Sequence, residues 1–406
     1  LAGGILEGVS LVEGSAFVAA PLGGMSLAQL GADVIRFDPL GGGLDFRRWP
    51  LAADGQSLFW AGLNKGKRSF QVDLVSAEGR ELVTELVAVT GTLLTNLPAR
   101  GWMTYENLRR ERDDVIMVLL TGNPDGSSEV DYTVNPATGF PWVTGPRGLD
   151  HPVNSVLPSW DLIMGGLAAT GLLAAERRRA LTGAGELVRL ALSDVAFATV
   201  ANLGRIAEAT LGGEGPERDG NHLYGAFGDD FTTSDGRRVM VVALTPRQWK
   251  ALVEATGLGE TFAGLERLTG EDLGTEAGRF QSRDLITAVL RRWVARRSFS
   301  EVRDLFTGTG VSWGPYQTFR QLVREDPRVS TANPLFAEIE HPGVGSYLAP
   351  ASPLDFAGVG RVPVGRAPVL GEHTEEILAD TLGLSEREIG DLFARGIVAG
   401  PVAAPA

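Results

Sequence analysis

The sequence predicts an α/β protein: a large domain on a doubly wound, Rossmann-like, mostly parallel sheet, joined to a smaller α/β domain. Three observations predict it. Strand and helix patterns alternate through the first 120 residues, the signature of βα units with right-handed crossovers. A composition shift falls near residues 214–220, and a second strand–helix pattern follows it. The chain has 406 residues, enough for two or three domains at roughly 150 residues each. The expected bounds are a large ligand-binding domain over 1–220 and a small domain over 221–325. A linker and C-terminal segment over 326–406 returns to the large domain.

In chain order, Val9–Glu13 reads as the first strand. A helix over Pro21–Leu30 ends at Gly31, a glycine placed to stop it. Asp33–Asp38 is the second strand and Phe70–Asp73 the third. Ser76 caps a helix whose apolar stripe is Leu82, Val83, Leu86 and Val87. Leu93–Thr95 and Val115–Leu120 are further strands, with a Thr104-capped helix between them. Residues Thr121–Pro158 are rich in Gly, Pro, Asn and Asp and read as loop. A long helix follows over Trp160–Arg179, then a strand over Leu187–Leu192 and a helix opening at Asp194 behind a capping Ser193. In the second domain, strands are expected at Arg238–Ala243 and Val311–Ser312. Its helices are expected at Pro246–Thr256, Asp284–Ala295 and Phe299–Phe306. Helices over Glu372–Leu382 and Ser385–Ala394 close the chain, and Gly400–Ala406 reads as a frayed tail.

Composition removes several chemistries. With no cysteine there is no thiolate nucleophile, disulfide or iron–sulfur cluster. The four histidines show no metal-binding spacing, so no metal is expected. The net charge of −13 argues against nucleic acid, and no apolar run is long enough to span a membrane. A cytoplasmic location is expected, since no basic segment precedes an apolar run at the start of the sequence.

Individual motifs leave alternatives open. Glu13–Pro21 lacks the G-x-G-x-x-G fingerprint, so it is either a plain βα turn or a backbone platform for a nucleotide-bearing ligand other than NAD. Only three lysines occur, and two lie in Asn64-Lys65-Gly66-Lys67-Arg68, either a solvated basic turn or a phosphate contact. Asp194 is either an ordinary acid of a first helical turn or a carboxylate nucleophile. Asp131 and Asp161 fit turn chemistry equally well.

Taken in order, the segments resemble the class III coenzyme A transferases, the family of formyl-CoA transferase, carnitine CoA transferase and α-methylacyl-CoA racemase. The matching pieces are Leu30–Ile35, Asn64–Ser69, Thr95–Pro98, Gly171–Ala175 leading to Thr182–Gly185, Asp194, Gly314-Pro315, Asp326-Pro327 and Leu370–Thr374. The resemblance implies acyl transfer through Asp194 as nucleophile, with a CoA thioester as substrate and no other cofactor or metal. It places Phe17, Val18, Ala19, Val72, Asn96, Leu97, Arg100 and Asp131 at the CoA. The family's arginine after the second strand is replaced by Pro39, so Arg36 or the Lys65–Arg68 cluster is expected to supply the phosphate charge. Val130 stands where the racemase branch carries a histidine, which argues against two-base proton exchange.

Within the family, Glu13–Met25, Leu58–Arg68, Glu129–Asn135, Asn221–Gly228 and Ser352–Phe356 resemble the branch that moves CoA between the C1 and C4 carboxyls of mesaconate, one C5 dicarboxylate. That implies a closed pocket with a donor for the spare carboxylate, for which Arg147, His222 and Tyr224 are candidates. The alternatives are intermolecular CoA transfer to another dicarboxylic acid, a nicotinamide-dependent oxidoreductase, and a non-catalytic CoA-binding protein. The resemblance further implies an interlocked homodimer.

Overall fold

The computed structural model describes residues 3–213 and 215–401, which form two compact units. The larger unit holds the chain up to Thr138, Val156–Leu203 and the chain from Pro327 onward. Its centre is a seven-stranded sheet. Six strands run parallel: β1 (Ser10–Gly14), β2 (Asp33–Asp38), β3 (Arg68–Val72), β4 (Thr92–Thr95), β5 (Ile116–Thr121) and β6 (Glu186–Ala191). The order is β3-β2-β1-β4-β5-β6, and a short strand, Val398–Ala399, joins the outer edge antiparallel to β3.

Strand order reverses at β1, which has β2 on one side and β4 on the other. A crevice therefore opens outside the carboxyl ends of β1 and β4, the place where doubly wound sheets bind ligands. The register aligns further strand ends with it: Gly14 lies opposite Thr95, Thr95 opposite Leu119, and Thr121 opposite Ala191. The turns after β1, β4, β5 and β6 thus share one edge of the sheet.

The helices that frame this edge follow from their sequences. Ser76 and Thr104 accept the N–H groups of Gly79 and Asn107, and Leu82, Val83, Leu86 and Val87 are buried as their spacing predicts. The Ala19–Ala28 helix packs closely on the long Ser159–Thr182 helix. Small residues permit this: a Cβ at Gly165 would stand 2.9 Å from the Ala19 carbonyl oxygen. That approach sets the first turn of the shorter helix against the second turn of the longer one. A Cβ at Gly24 would lie 1.7 Å from a carboxylate oxygen of Glu13, so only glycine lets this helix lie over that buried acid.

The structure departs from the sequence reading at several points. The expected loop over Thr121–Pro158 contains helices at Asp131–Ala137 and Phe140–Val143. The helix after β6 starts at Leu192 with Ala191 as its N-cap, so Ser193 is not a cap. It lies inside the first turn, and its N–H donates to the Gly122 carbonyl at 3.1 Å. The Glu372–Leu382 helix is a single α-turn, Thr374–Glu376, running into a π-helical turn at Ile377–Thr381. Of the tail Gly400–Ala406, residues 402–406 lie outside the described residues.

The second unit comprises Gly139–Ser155 and Gly204–Asp326. It carries a three-stranded antiparallel sheet of Phe227–Thr232, Arg238–Ala243 and Ser312–Pro315. Helices close it over a core that includes Phe227, Phe231, Trp249, Trp293 and Phe306. Its extent differs from the expected 221–325. Residues 139–155 and the stretch leading to Gly220 join it because they hydrogen-bond to each other. The Gly220 N–H donates to the Gly145 carbonyl at 2.9 Å, and Arg218 donates to the carbonyls of Leu149 and Pro141.

Candidate active site

The turn after β1 is held from both sides. Ala16 and Asn96 are clamped reciprocally: the Ala16 N–H donates to Asn96 Oδ1 at 2.9 Å, and Asn96 Nδ2 donates to the Ala16 carbonyl at 2.7 Å. Thr95 Oγ1 donates to the Gly14 carbonyl at 2.6 Å. Phe17 has φ +66°, the one non-glycine residue with positive φ among the described residues. A bulky side chain there is strained by of order 1–3 kcal/mol and persists only where its surroundings hold it. The holding contact is Asp45, whose Oδ1 accepts the Phe17 N–H at 2.8 Å. The strain leaves the Phe17 ring exposed at the crevice, while Val18 and Ala19 turn inward and are buried.

Beneath this turn lies a buried charged network. Arg36 Nε and Nη2 each donate to Asp38 at 3.0 Å, and Nη1 donates to Ser15 Oγ and Asn64 Oδ1 at 3.1 Å. Nη2 also reaches the Ser15 carbonyl at 3.0 Å and Asp45 Oδ2 at 3.4 Å. The guanidinium lies 4.5 Å from the centroid of the Trp60 ring. Lys67 Nζ donates to Glu13 at 2.7 Å, and to the Pro21 carbonyl and Asn64 Oδ1 at 2.9 Å each. Burial lowers the Lys67 ammonium to about 8 against the opposing pull of Glu13. Lys65 is also buried, donates to the Gly62 carbonyl, and is lowered to about 8 by burial. Arg68 pairs with Asp33 and Glu376. Arg36 and the lysine cluster are therefore internal struts, which corrects the expectation of phosphate contacts. The lysines are not a solvated turn either.

Asp131 is nearly fully buried, and its Oδ2 accepts the backbone N–H groups of Trp160 at 2.7 Å and Asp161 at 3.1 Å. It closes the N-terminus of the long helix, satisfying two of the donors every helix start leaves unpaired. That buried role corrects the expected CoA contact. Burial raises its carboxyl, opposed by those two N–H groups.

Asp161, in the same first turn, is pushed up from 3.8 to about 6 by burial, reinforced by the charge of Asp131 and opposed by Arg48. The folded protein therefore holds a proton that the unfolded chain releases between about pH 4 and 6. This contribution to stability is complete below pH 4 and lost as pH rises through 6. Asp161→Asn is expected to stabilise the fold at pH 8 by on the order of 1–2 kcal/mol relative to the wild type. Denaturant titrations at pH 8 and pH 4 check this: the gain should be present in the first and gone in the second.

Asp194 sits in the first turn of the Leu192–Asn202 helix, on the sheet edge defined by the four strand ends. It is exposed, and its carboxylate makes no hydrogen bond or ion pair with the described residues. Asp131 and Asp45, on the same edge, are buried and engaged. Asp194 is thus an available carboxylate on the edge of the sheet, after β6 and with β4 and β5 between it and β1.

The other expected residues divide. Asn96 and the partly buried Leu97 follow β4 at the crevice, and the exposed Arg100 opens the short turn at Gly101–Met103. Val72 has no exposed surface and packs in the core opposite Val398, so it offers nothing to a ligand. Arg147, His222 and Tyr224 belong to the second unit and already have partners there. Arg147 pairs with Asp219 and Asp284. His222 Nε2 lies 3.6 Å from Asp229 and 3.7 Å from Asp284. The Tyr224 hydroxyl donates to Glu208 at 3.1 Å. Sequence reasoning missed Arg48, Asp45 and the special conformation of Phe17. The only trace of the first was Arg47-Arg48 beside Trp49 in a glycine-rich loop. Among the described residues, no group of three His, Asp or Glu is placed to hold a metal ion, and no helix is long and apolar enough to cross a membrane.

Comparison with known proteins gives the family and the fold. Residues 6–374 match CoA-transferase family III. A 2-methylfumaryl-CoA isomerase of Chloroflexus aurantiacus is 57% identical over 403 residues, covering 98% of each chain. A succinyl-CoA:mesaconate CoA-transferase of Haloarcula marismortui is 30% identical, covering 92% of this chain and 96% of its own. The crystal structure of a CAIB/BAIF family protein from Brucella suis superposes with a TM-score of 0.76 at 26% identity, over 93% of this chain and all of that one.

Proposed function

This chain belongs to CoA-transferase family III, and from that premise we propose that it is an intramolecular CoA transferase that isomerises 2-methylfumaryl-CoA. It moves CoA between the C1 and C4 carboxyls of mesaconate. The observation that carries the reading is the likeness to the Chloroflexus isomerase along nearly the whole of both chains.

Asp194 is the proposed nucleophile. Its carboxylate attacks the thioester carbonyl, the C–S bond breaks, and a mixed anhydride and CoA thiolate result. The thiolate attacks the aspartyl carbonyl of the anhydride, giving an aspartyl–CoA thioester and free dicarboxylate. The other carboxylate of that acid attacks the aspartyl carbonyl, forming a second anhydride and releasing thiolate again. The thiolate attacks the substrate carbonyl, yielding the isomeric thioester and regenerating Asp194. No proton changes hands and no second acid is consumed. The chemistry asks for a fixed carboxylate and for exclusion of water from the anhydrides. Asp194, in the first turn of a helix at the sheet edge, is the carboxylate proposed for this role. Phe17, Val18, Ala19, Asn96, Leu97 and Arg100 are the proposed CoA contacts.

The reading includes an interlocked homodimer. Leu162, Ile163 and Leu167 are exposed on the long helix, an apolar row suited to a second copy. A monomeric mass in solution would contradict it.

The test of function is incubation with the C1 thioester alone and separation of the products. Accumulation of the C4 thioester, with little incorporation of added labelled mesaconate, is the expected result. Absence of the C4 thioester would reject the reading, and ready incorporation of label would assign an intermolecular transferase instead.

A further inference from the structure

Arg48 carries a charge that no carboxylate among the described residues pairs with directly. It follows the short helical turn Leu44–Arg47, and its backbone is fixed. The Arg48 N–H donates to the Asp45 carbonyl at 3.2 Å, and Ser57 Oγ donates to the Arg48 carbonyl at 2.6 Å. Its guanidinium carbon lies 5.1 Å from the centroid of the Phe17 ring and 5.1 Å from that of Phe59. The side chain is partly buried, yet its N–H groups make no hydrogen bond or ion pair with the described residues. Arg36, nine residues from Asp45, has partners for all of its groups.

Two phenyl rings hold this guanidinium, a favourable arrangement for a delocalised cation. Its donors lie in one plane as a fork that matches a carboxylate bidentately. Phe17 can stand there only because Asp45 holds its strained backbone. Asp161 is close enough for Arg48 to act on its charge, but not in contact with it.

We propose that Arg48 anchors the spare carboxylate of the substrate, the one not joined to CoA, between the rings of Phe17 and Phe59. This rests on the proposed isomerase reading and deepens it. Two phenyl rings beside one forked cation suit a flat, conjugated C5 diacid. The diphosphate of CoA calls for several donors, and phenyl walls offer none. The anchor also answers a need of the intramolecular reaction. While CoA is carried by the enzyme the free diacid is held by no covalent bond, and it must be retained while it exchanges one carboxylate for the other.

Arg48→Met and Arg48→Lys test this with three readouts: steady-state kinetics with both thioesters, affinity for free CoA by calorimetry, and release of free mesaconate during turnover. Arg48→Met is expected to raise KM for both thioesters at least tenfold and to increase acid release. Affinity for free CoA should stay within twofold of wild type, which also reports an intact fold. Arg48→Lys should recover part of the KM and less of the retention, because an ammonium lacks the fork. Equal losses in CoA and thioester affinity would make Arg48 a phosphate contact and overturn the proposal, as would unchanged kinetics and acid release. If the wild type fails to isomerise the C1 thioester, the parent reading fails by itself. The affinity of the dicarboxylyl thioester relative to free CoA, wild type against Arg48→Met, then still decides the role of Arg48.

Discussion

Asp194→Ala is expected to lower turnover by on the order of 10⁴-fold or more while CoA still binds. Every bond exchanged in the proposed cycle passes through this one carboxylate, so no other group can take a share of the loss. Two other acids of the same sheet edge are already engaged. Asp131 is committed to the long helix and Asp45 to Phe17 and Arg36. Because Asp194 is exposed and makes no hydrogen bond or ion pair with the described residues, its removal should leave the fold nearly untouched. Asp194→Asn should be equally inactive, since an amide is no nucleophile. Kinetics of the purified variants beside calorimetric CoA titrations check both halves. Turnover within tenfold of wild type would remove Asp194 from the mechanism.

Arg36→Met is expected to cost about 3–5 kcal/mol of stability, the range for breaking a buried charge cluster by removing one partner. Arg36 is 1% exposed and touches Asp38, Asp45, Ser15 and Asn64, with Glu13 3.7 Å away. Methionine fills much of the volume but leaves three buried acids with Lys67 as the remaining cation of the network. The damage should extend to the site, because Asp45 is the link between Arg36 and the strained Phe17 backbone. The denaturant midpoint should fall and affinity for CoA with it, whereas Arg36→Lys should fall between, keeping the charge without the fork. An unchanged midpoint would show that the network contributes little to the fold.

Local signals made much of the architecture legible. The strand Asp33–Asp38 matches its sequence pattern end to end, and the Ser76 and Thr104 caps stand where their spacing puts them. What escaped was decided by distant partners. The Asp131–Ala137 helix contains Pro136 and turn-forming residues, and Asp131 is recruited by a helix almost thirty residues later. The Phe227–Thr232 strand hides two aspartates among its apolar residues. Lys67 reads as surface until Glu13 is seen 2.7 Å away, and nothing local announces that pairing across 54 positions. The second unit's capture of 139–155 likewise depends on hydrogen bonds from residues far along the chain.

The same contrast holds at the site. Asp194 could be singled out by family resemblance, while its local pattern is that of any acid in a first helical turn. Arg48 left almost no mark in the sequence, because its standing depends on two rings brought to it by the fold and on the lack of a carboxylate in direct contact. Tertiary structure separates Arg48 from the other arginines of this chain.

The most direct measurement is to trap the covalent intermediate. The enzyme is incubated with 2-methylfumaryl-CoA, quenched with hydroxylamine, digested, and its peptides are weighed by mass spectrometry. The account predicts a substrate-dependent hydroxamate on the peptide containing Asp194, located at that residue by fragmentation and absent from Asp194→Ala. A modification at another carboxylate, or full turnover with no adduct anywhere, would contradict it.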